Sequence, residues 1–318
     1  MFFKQRMVGI DIGTSAIKMV EVSGIRHRRI LENYAEVSLK DISVEDKKDG
    51  MLSPVTTAQV IKEMIRESNI KAKKAIFSIP DFSTFCTSFE IPPMPKEEIP
   101  GAISFNAAQY ITLPISQVTL DWQVAAKNPL DKNSPLVVFL VAIPNQVIED
   151  YKLIAKNAGL QLYALEAEVI SIKRALARDV RKTICLVDIG FSSSTISVLD
   201  QGFLKESYSF EFNSSLMYSG NNLGDVTVLA KPLLQEIQDV CAEFLEQEKH
   251  AVDEIYITGG GAQVPGLKDF LQQNTKKSVS APNGFLALSY NPILEMKIGA
   301  MSSRFSAALG ASLSGLEG

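Results

Sequence analysis

The chain has 318 residues, of which 46% are hydrophobic and 21% are charged, and its net charge is −4. This length and apolar content indicate two domains, or one elaborated pair, with a large core, and they argue against global disorder. The acidic balance argues against a dedicated nucleic-acid-binding protein. The longest apolar run, residues 136–143, is too short to span a bilayer, so a membrane role would require a partner.

The first 81 residues contain a hairpin followed by further strands and a helix. Residues 7–12 and 16–23 are predicted to form the two strands of the hairpin, because apolar residues flank a small polar turn after Asp-Ile-Gly. The next predicted elements are a strand over 28–37, a loop over 40–54, a helix that begins at Thr56 or Thr57, and a strand over 74–79. This order is typical of an α/β sheet that opens with an antiparallel hairpin.

From residue 82 the pattern changes and becomes rich in proline. The predicted elements here are strands over 83–91, 117–126 and 135–143 and helices over 96–110 and 146–157. This strand–helix–strand–strand–helix unit interrupts the order of the first domain. Residues 82–158 are therefore predicted to form an inserted subdomain.

The chain then returns to the first pattern and repeats its opening motif. The segment Cys185–Leu199 matches Val8–Val22, with Asp188 at the position of Asp11. The other predicted elements are a strand over 160–165, a helix over 166–179, a strand over 203–212, a helix over about 226–249, a strand over 253–258, a helix from near 263 or 265, and a last helix over about 300–316. Two similar domains are therefore expected to face each other across a cleft, in an α/β fold with mixed sheets.

The two Asp-Ile-Gly turns have the residue types of a phosphate-binding site. A glycine lets the backbone approach a phosphate, and the small polar residues after it supply hydroxyl and N–H donors. One carboxylate from each domain, Asp11 and Asp188, is predicted to hold a hydrated Mg²⁺ ion. The predicted nucleotide-binding residues are Asp11, Gly13, Thr14, Ser15, Lys18, Asp188, Gly190, Ser192, Ser193, Ser194, Gly259, Gly260, Gly261 and Val264. Hairpin turns also use glycine and serine for geometry alone, so that alternative stays open.

These residues carry a family resemblance. Residues 10–18, 187–195 and 256–266 resemble the phosphate-1, phosphate-2 and adenosine motifs of the actin/hexokinase/chaperone ATPase superfamily. The inserted unit is similar to that of the FtsA and PilM families, and its run IPPMPKEEIPGAISFNAAQYITLPISQVTLDWQV resembles the PilM family of type IV pilus assembly proteins most closely. The resemblance covers nearly the whole chain.

The resemblance implies an actin-like (ribonuclease H-like) two-domain fold with an FtsA/PilM-type inserted subdomain. The implied domains are 1–81 plus 159–181 (subdomain IA), 82–158 (the inserted subdomain, 1C), and 182–318 (IIA), whose C-terminal helix would pack back on IA. The family sits in the cytoplasm, at the inner-membrane face, and binds the cytoplasmic N-terminal tail of the inner-membrane protein PilN. A scaffold for a type IV pilus or type II secretion-type platform is therefore the implied function, with self-association as a further expectation.

The implied partner groove lies between the first domain and the inserted subdomain. An apolar peptide bound there would need a hydrophobic floor and some backbone hydrogen bonds. The predicted groove residues are Phe82, Phe85, Phe89 and Ile91, which alternate imperfectly with polar residues. Contact with the membrane is expected through the partner alone.

The chain departs from the family after the second hairpin. Where the family has a helical subdomain (IIB) over the nucleotide, Asn213 to about Lys231 is all that separates the last hairpin strand from the next helix. Roughly fifty residues of lid are thus expected to be missing, and a pocket that cannot exclude water is a poor site for phosphoryl transfer. We therefore expect ATP with Mg²⁺ to be at most a structural ligand, and no catalytic residue is predicted.

Two alternative functions remain at this point. An active ATPase would need a residue that positions water, and Glu166 and Glu168 open a helix that reaches toward the cleft in this superfamily, although Glu is ordinary in a first helical turn. A division protein like FtsA would bring an amphipathic membrane helix at its C-terminus. Residues 311–318 have no basic amphipathic face, which counts against that alternative.

Overall fold

The computed structural model describes residues 5–25, 28–39, 47–48, 51–126, 131, 133–177, 181–212, 214, 217 and 226–316. The strands are β1 (Gln5–Ile12), β2 (Ala16–Ile25), β3 (Arg28–Ser38), β4 (Lys47–Lys48), β5 (Met51–Leu52), β6 (Lys74–Ile79), β7 (Phe85–Ile91), β8 (Val118–Ala126), β9 (Leu136–Pro144), β10 (Gln161–Ala167), β11 (Ile184–Ile189), β12 (Ser193–Asp200), β13 (Phe203–Glu211), β14 (Glu254–Thr258) and β15 (Ser278–Ser280). The helices are α1 (Pro54–Ser68), α2 (Ile99–Tyr110), α3 (Asn145–Ala158), α4 (Glu168–Leu176), α5 (Val226–Leu229), α6 (Lys231–Glu248), α7 (Leu267–Thr275), α8 (Glu295–Met301) and α9 (Ser306–Ser314).

Two five-stranded sheets have the same topology. The first has the order β10-β6-β1-β2-β3, and the second has the order β13-β12-β11-β14-β15. In each, the first strand pairs antiparallel with the next strand of its hairpin and parallel with a later strand. Asp11 and Asp188 therefore occupy equivalent positions, at the carboxyl end of the central strand of each sheet.

Helices cover both sheets and also separate them. Helices α1 and α3 bury apolar residues against the outer face of the first sheet, and α6 and α7 do so on the second sheet. Helices α4 and α9 lie between the sheets, in a core that includes Val20, Leu186 and Leu309. This core joins the two domains, because residues of both sheets contribute to it.

Close packing of α4 against α9 depends on glycine. A Cβ atom on Gly310 would overlap the carbonyl group of Ser171 in α4, and one on Gly9 of β1 would overlap the carbonyl oxygen of Ala308 in α9. The C-terminal helix therefore packs on β1 of the first domain as well as on α4.

The inserted subdomain is a three-stranded antiparallel sheet, β7-β9-β8, with α2 on one face. Its edge strand β7 lies against β13 of the second domain, where the Ser88 hydroxyl donates a hydrogen bond to the Leu204 carbonyl oxygen. Helix α3, inside the range 82–158, packs instead against α1 in the core of the first domain. The domain boundaries stay a prediction, and this packing favours an inserted unit that ends at about Pro144.

Several elements differ from the sequence prediction. The helix predicted over about 300–316 begins later, as α9, after a turn over 302–305, and neither α8 nor the short strand β15 was predicted. The predicted helix over 226–249 begins as α5 and continues as α6 after Ala230, with Pro232 in the first turn of α6. Residues 213–225, where the shortened lid is expected, lie outside the described residues except for 214 and 217. No helix in the described part of the chain is both long and apolar enough to cross a membrane.

Candidate functional site

A cavity of about 880 Å³ lies between the two domains, where the carboxyl ends of β1 and β11 face each other. The N-terminal ends of α4 and α9 also border it, through Glu168 and Ser306. Helix N-termini carry free N–H groups and a partial positive charge, which favours anions such as phosphate. The cavity is therefore large enough for a nucleotide and has suitable backbone donors.

Ten of the predicted nucleotide-binding residues line this cavity. They are Asp11, Gly13, Thr14, Ser15, Lys18, Asp188, Gly190, Ser193, Gly259 and Gly260. A Cβ atom on Gly259, which has φ of +82°, would lie 2.5 Å from the Asp188 carboxylate, so this position needs glycine for space as well as conformation. The structure thus brings the three sequence motifs together at one site.

The other four predicted residues do not line the cavity. Ser192 lies at its rim, with its hydroxyl oxygen 3.2 Å from that of Thr14. Ser194 is buried within β12, and Val264 belongs to the core of the second domain. Gly261 is buried against Ile189, where a Cβ atom would clash. Ser194, Gly261 and Val264 are placed to support the site rather than to touch a ligand.

Carboxylates dominate the floor of the cavity. The Lys18 ammonium group forms an ion pair of 3.1 Å with Asp11, and further carboxylates come from Asp81, Glu168 and Asp188. Burial alone lowers the pKa of Lys18, but the surrounding carboxylates, chiefly that of Asp11, raise it above its ordinary value. Lys18 is therefore cationic and, among the described residues, lies with four acidic groups at the floor, while the other cation of the lining, Arg304, is paired with Glu36.

This excess of carboxylates raises their pKa values. Burial raises the pKa of Asp188 to about 6, although the charge of Lys18 opposes the shift. Burial also raises the pKa of Glu168 well above its usual range, and the like charges of Asp188 and Asp11 add to this. For Asp81, burial raises the pKa to about 7 against the opposing hydrogen bond from the Val169 N–H group. The floor of the cavity therefore favours a bound proton or cation.

The donor set fits a hydrated divalent cation with a nucleotide. Among the described residues, no three His, Cys, Asp or Glu side chains are placed to hold a metal ion by themselves. Mg²⁺ keeps several waters and uses one or two carboxylates plus phosphate oxygens, which suits Asp11 and Asp188 on opposite walls. Asp81 Oδ2 is buried without a hydrogen-bond partner, as expected where a donor from the cavity is absent. When bound, such an ion would neutralise phosphate charge.

The predicted set missed several charged and polar residues that line the cavity. Among them are Glu36, Asp81, Gln263 and Arg304. Asp81 had a signal, because it follows the end of β6, as Asp11 and Asp188 stand at the ends of their strands. Arg304 forms an ion pair with Glu36 of β3, and this pair spans the cavity from the second domain to the first. Its partners are 268 residues apart, so no local pattern could have shown it.

Both glutamates were predicted to open a helix, but Glu166 belongs to the end of β10 and Glu168 is the first residue of α4. Glu166 accepts two hydrogen bonds from Arg174, at 2.6 and 3.1 Å, and others from Ser171 and Ser314. Glu168 lines the cavity. Of the pair, Glu168 is therefore the residue that could contact a ligand, and Glu166 ties α4 to the end of α9.

The predicted partner-groove residues do not form one surface. Phe82 is 49% exposed and lines the large cavity, and Phe85 is half-buried at the start of β7. Phe89 and Ile91 instead lie in the core beneath α2, with 8% and 2% exposure. The prediction that Phe89 and Ile91 line a groove is therefore wrong, because alternate residues of β7 point to the face that α2 covers.

A second, apolar cavity of about 480 Å³ lies on the inserted subdomain. It is lined by Met94, Lys96, Ile99, Pro100, Trp122, Val124, Ala125 and Leu136. Lys96 is the charged residue in this group, and the other residues are apolar. Such a cavity suits an apolar side chain from a ligand or partner.

A family model described as type IV pilus assembly protein PilM matches residues 9–209, which is more than half of the chain. A solved structure named "PilM-PilN type IV pilus biogenesis complex" is similar, with 21% identity, a TM-score of 0.84, and 98% of this chain and 99% of that chain covered.

A second similar structure is ethanolamine utilization protein EutJ from Carboxydothermus hydrogenoformans, with 15% identity, a TM-score of 0.54, and coverage of 98% and 90%. These likenesses confirm the predicted actin-like two-domain α/β fold with its inserted subdomain. On the strength of the family match, the chain belongs to the PilM family of type IV pilus assembly proteins.

Proposed function

We propose that this protein is a cytoplasmic scaffold of a type IV pilus or type II secretion-type assembly platform. It binds the cytoplasmic N-terminal tail of a PilN-like inner-membrane protein and is held at the membrane through that partner. One observation carries the proposal: the whole chain matches the fold of PilM from a PilM–PilN complex, inserted subdomain included. Family membership supports the same machine.

We place the anchor point of the tail at the 480 Å³ apolar cavity beside Trp122. This cavity replaces the buried Phe89 and Ile91 as the hydrophobic floor that an apolar peptide needs. Trp122, Val124 and Ala125 of its lining belong to β8, which is an edge strand in the sheet that the described residues form. An extended tail could hydrogen-bond along β8 and insert one apolar side chain into the cavity.

The test is calorimetry with a synthetic peptide of the partner's cytoplasmic tail. Met94→Glu puts a charge into the half-buried floor of the apolar cavity, and we expect it to weaken binding at least about tenfold, or 1.4 kcal/mol. The matched control is Phe105→Glu, on an exposed position of α2 outside the cavity, which should bind as the wild type does. Equal affinity of both variants would refute this docking position, and a wild type that binds no such tail would refute the scaffold.

In this proposal, ATP with Mg²⁺ is a structural ligand that sets how the two domains close. The binding residues would be the ten that line the large cavity, with Asp11 and Asp188 nearest to the ion. Support comes from the paired hairpins, the carboxylate excess at the floor and the glycines beside Asp188. Thermal denaturation with and without Mg–ATP tests this role, since a ligand that binds the native state raises Tm.

An active ATPase is the second candidate, and Glu168 favours it. This carboxyl group lines the cavity, and its raised pKa suits a group that accepts a proton from an attacking water. Phosphate release under single-turnover conditions decides between the two roles. Release that Glu168→Gln abolishes would establish an ATPase, whereas binding without release supports the structural role.

A further inference from the structure

Asp81 contacts the cleft although it belongs to neither hairpin motif. Its side chain is 9% exposed and lines the large cavity. Oδ1 accepts a hydrogen bond of 3.2 Å from the Val169 N–H group in the first turn of α4. Oδ2 forms no hydrogen bond of acceptable geometry with any described donor; the Thr195 hydroxyl is near enough to lower the pKa of the carboxyl group, but it is hydrogen-bonded to Ser209 instead. The N-cap residue of α4 is Ala167, whose side chain cannot accept a hydrogen bond. Asp81, which lies outside the helix, supplies the missing acceptor for the Val169 N–H group. A buried carboxylate oxygen without a donor is rare and indicates that a donor from the cavity belongs there.

Asp81 also begins the passage from the first domain into the inserted subdomain. Its carbonyl oxygen accepts a hydrogen bond of 3.1 Å from the Thr84 N–H group, which closes a turn over 81–84. Phe82, the next residue, lines the same cavity. Strand β7 starts at Phe85, so three residues separate the buried carboxylate from the inserted sheet.

Strand β7 also contacts the second domain. It lies against β13, and Ser88 donates a hydrogen bond to the Leu204 carbonyl oxygen. Cys86 packs against the core between the two domains. A displacement of Asp81 would therefore move the edge strand of the inserted subdomain, which contacts the second domain.

We propose that Asp81 is a third carboxylate that binds the metal–nucleotide complex, and that this contact fixes the position of the inserted subdomain. The contact is made through a water of the hydrated divalent cation, which donates the hydrogen bond that Oδ2 lacks. The inference rests on the proposed nucleotide role and extends it. Through Asp81, a ligand in the cleft would fix the position of the inserted subdomain, which is the proposed binding site of the partner tail.

The test uses the full chain and the variant Asp81→Asn. Asparagine keeps an oxygen for the Val169 N–H group but replaces the other oxygen by an amide donor, which repels a metal-bound water. The matched control is Asp121→Asn, because Asp121 is an exposed carboxylate of the inserted subdomain that does not line the cavity. Mg–ATP affinity is measured by calorimetry, and hydrogen exchange of β7 and β13 is measured with and without Mg–ATP.

We expect Mg–ATP to slow exchange in β7 and β13 of the wild type and of Asp121→Asn. Asp81→Asn should bind Mg–ATP about tenfold more weakly, and its exchange in both strands should not respond even when the cleft is saturated. Wild-type affinity and wild-type exchange in Asp81→Asn would overturn the inference, as would unchanged exchange in the wild type at saturation. Melting curves of each variant show whether it is folded, and Asp81→Ser provides a second, smaller replacement if Asp81→Asn is not.

Binding of the tail peptide is measured in a separate titration, so that the scaffold function and the role of Asp81 are tested independently. A wild type that binds the tail but not Mg–ATP overturns this inference and leaves the scaffold role intact. A wild type that shows the Asp81-dependent exchange but binds no tail supports this inference and refutes the scaffold.

Discussion

The hydroxyl oxygens of Thr14 and Ser192 lie 3.2 Å apart, so the turns of the two Asp-Ile-Gly hairpins touch across the cleft. The residues are 178 positions apart and belong to different domains. A phosphate group that enters between the hairpins would take over these hydroxyl donors. This contact therefore marks the place where ligand binding and domain closure compete for the same groups.

Replacement of both hydroxyls should affect binding more than stability. Thr14→Ala and Ser192→Ala remove an exposed hydrogen bond, which contributes at most about 1 kcal/mol to folding. We expect little change in Tm and weaker Mg–ATP binding, with the double variant less affected than the sum of the single ones. A double-mutant cycle in calorimetry measures this, and a large loss of Tm would contradict the interpretation.

Gly310 should tolerate no side chain. A Cβ atom there overlaps the Ser171 carbonyl group, so Gly310→Ala must push α9 from α4 and should cost about 1–3 kcal/mol or more. The control is Gly299→Ala in α8, where a Cβ atom meets nothing within 4 Å. That change should be neutral or stabilising by up to about 1 kcal/mol, because alanine is the better helix former. Urea denaturation compares the two variants.

Asp188 should make stability depend on pH. Its pKa is about 6 in the folded state, above the value of about 3.9 in an unfolded chain. The folded state therefore holds the proton more tightly, and the stability this contributes is lost as the pH rises from about 4 through 6. Asp188→Asn should be more stable than the wild type at pH 8, on the order of 1 kcal/mol, and should lose Mg–ATP binding.

Chemical denaturation at pH 5 and pH 8 checks the sign of this effect. The advantage of Asp188→Asn should shrink at pH 5, where the wild-type carboxyl group is already largely protonated in the folded state. An advantage that is equal at both pH values would show that the raised pKa is not its source.

Glu166 at the end of β10 and Glu168 at the start of α4 should respond in opposite ways to loss of charge. Glu166→Gln breaks a partly buried, two-pronged ion pair with Arg174 and should destabilise the fold by roughly 2 kcal/mol. Glu168→Gln removes a carboxylate from an acidic floor and should leave stability unchanged or raise it. Urea denaturation of both variants at pH 7 measures the difference. Equal losses of stability would contradict the separate positions assigned to these residues.

Removal of the divalent cation should abolish nucleotide binding. Among the described residues, five carboxyl groups and two cationic side chains line the cavity, so ATP without an ion meets an excess of acidic groups. With Mg²⁺, saturation at about 100 times Kd should stabilise the fold by about 2.7 kcal/mol. Thermal denaturation with ATP plus EDTA should match the ligand-free protein. An equal rise in Tm with EDTA would show that the carboxylates do not act through an ion.

Local patterns in the sequence were sufficient to predict most strands and helices and the two Asp-Ile-Gly hairpins. The alternation of apolar residues gave the hairpin strands, and the repeat of Asp-Ile-Gly placed Asp11 and Asp188 at equivalent strand ends. Local patterns did not predict which side chains in and near β7 face the cleft and which face the core. Phe82 lies at the cleft and Phe89 lies in the core, because a face of β7 is covered by α2, which comes later in the chain.

The sequence by itself determined the fold class and ten of the proposed nucleotide-binding residues at the cleft, because these depend on short motifs and on periodicity, and the resemblance of its motifs and inserted unit indicated the family. Tertiary structure alone decided which carboxylates share the floor. Asp81, Glu168 and Asp188 come from three separate elements, and their raised pKa values arise from burial and mutual repulsion. The paired hairpins therefore define where a ligand would bind. The acidic floor, assembled from distant parts of the chain, defines the charge that such a ligand must bring.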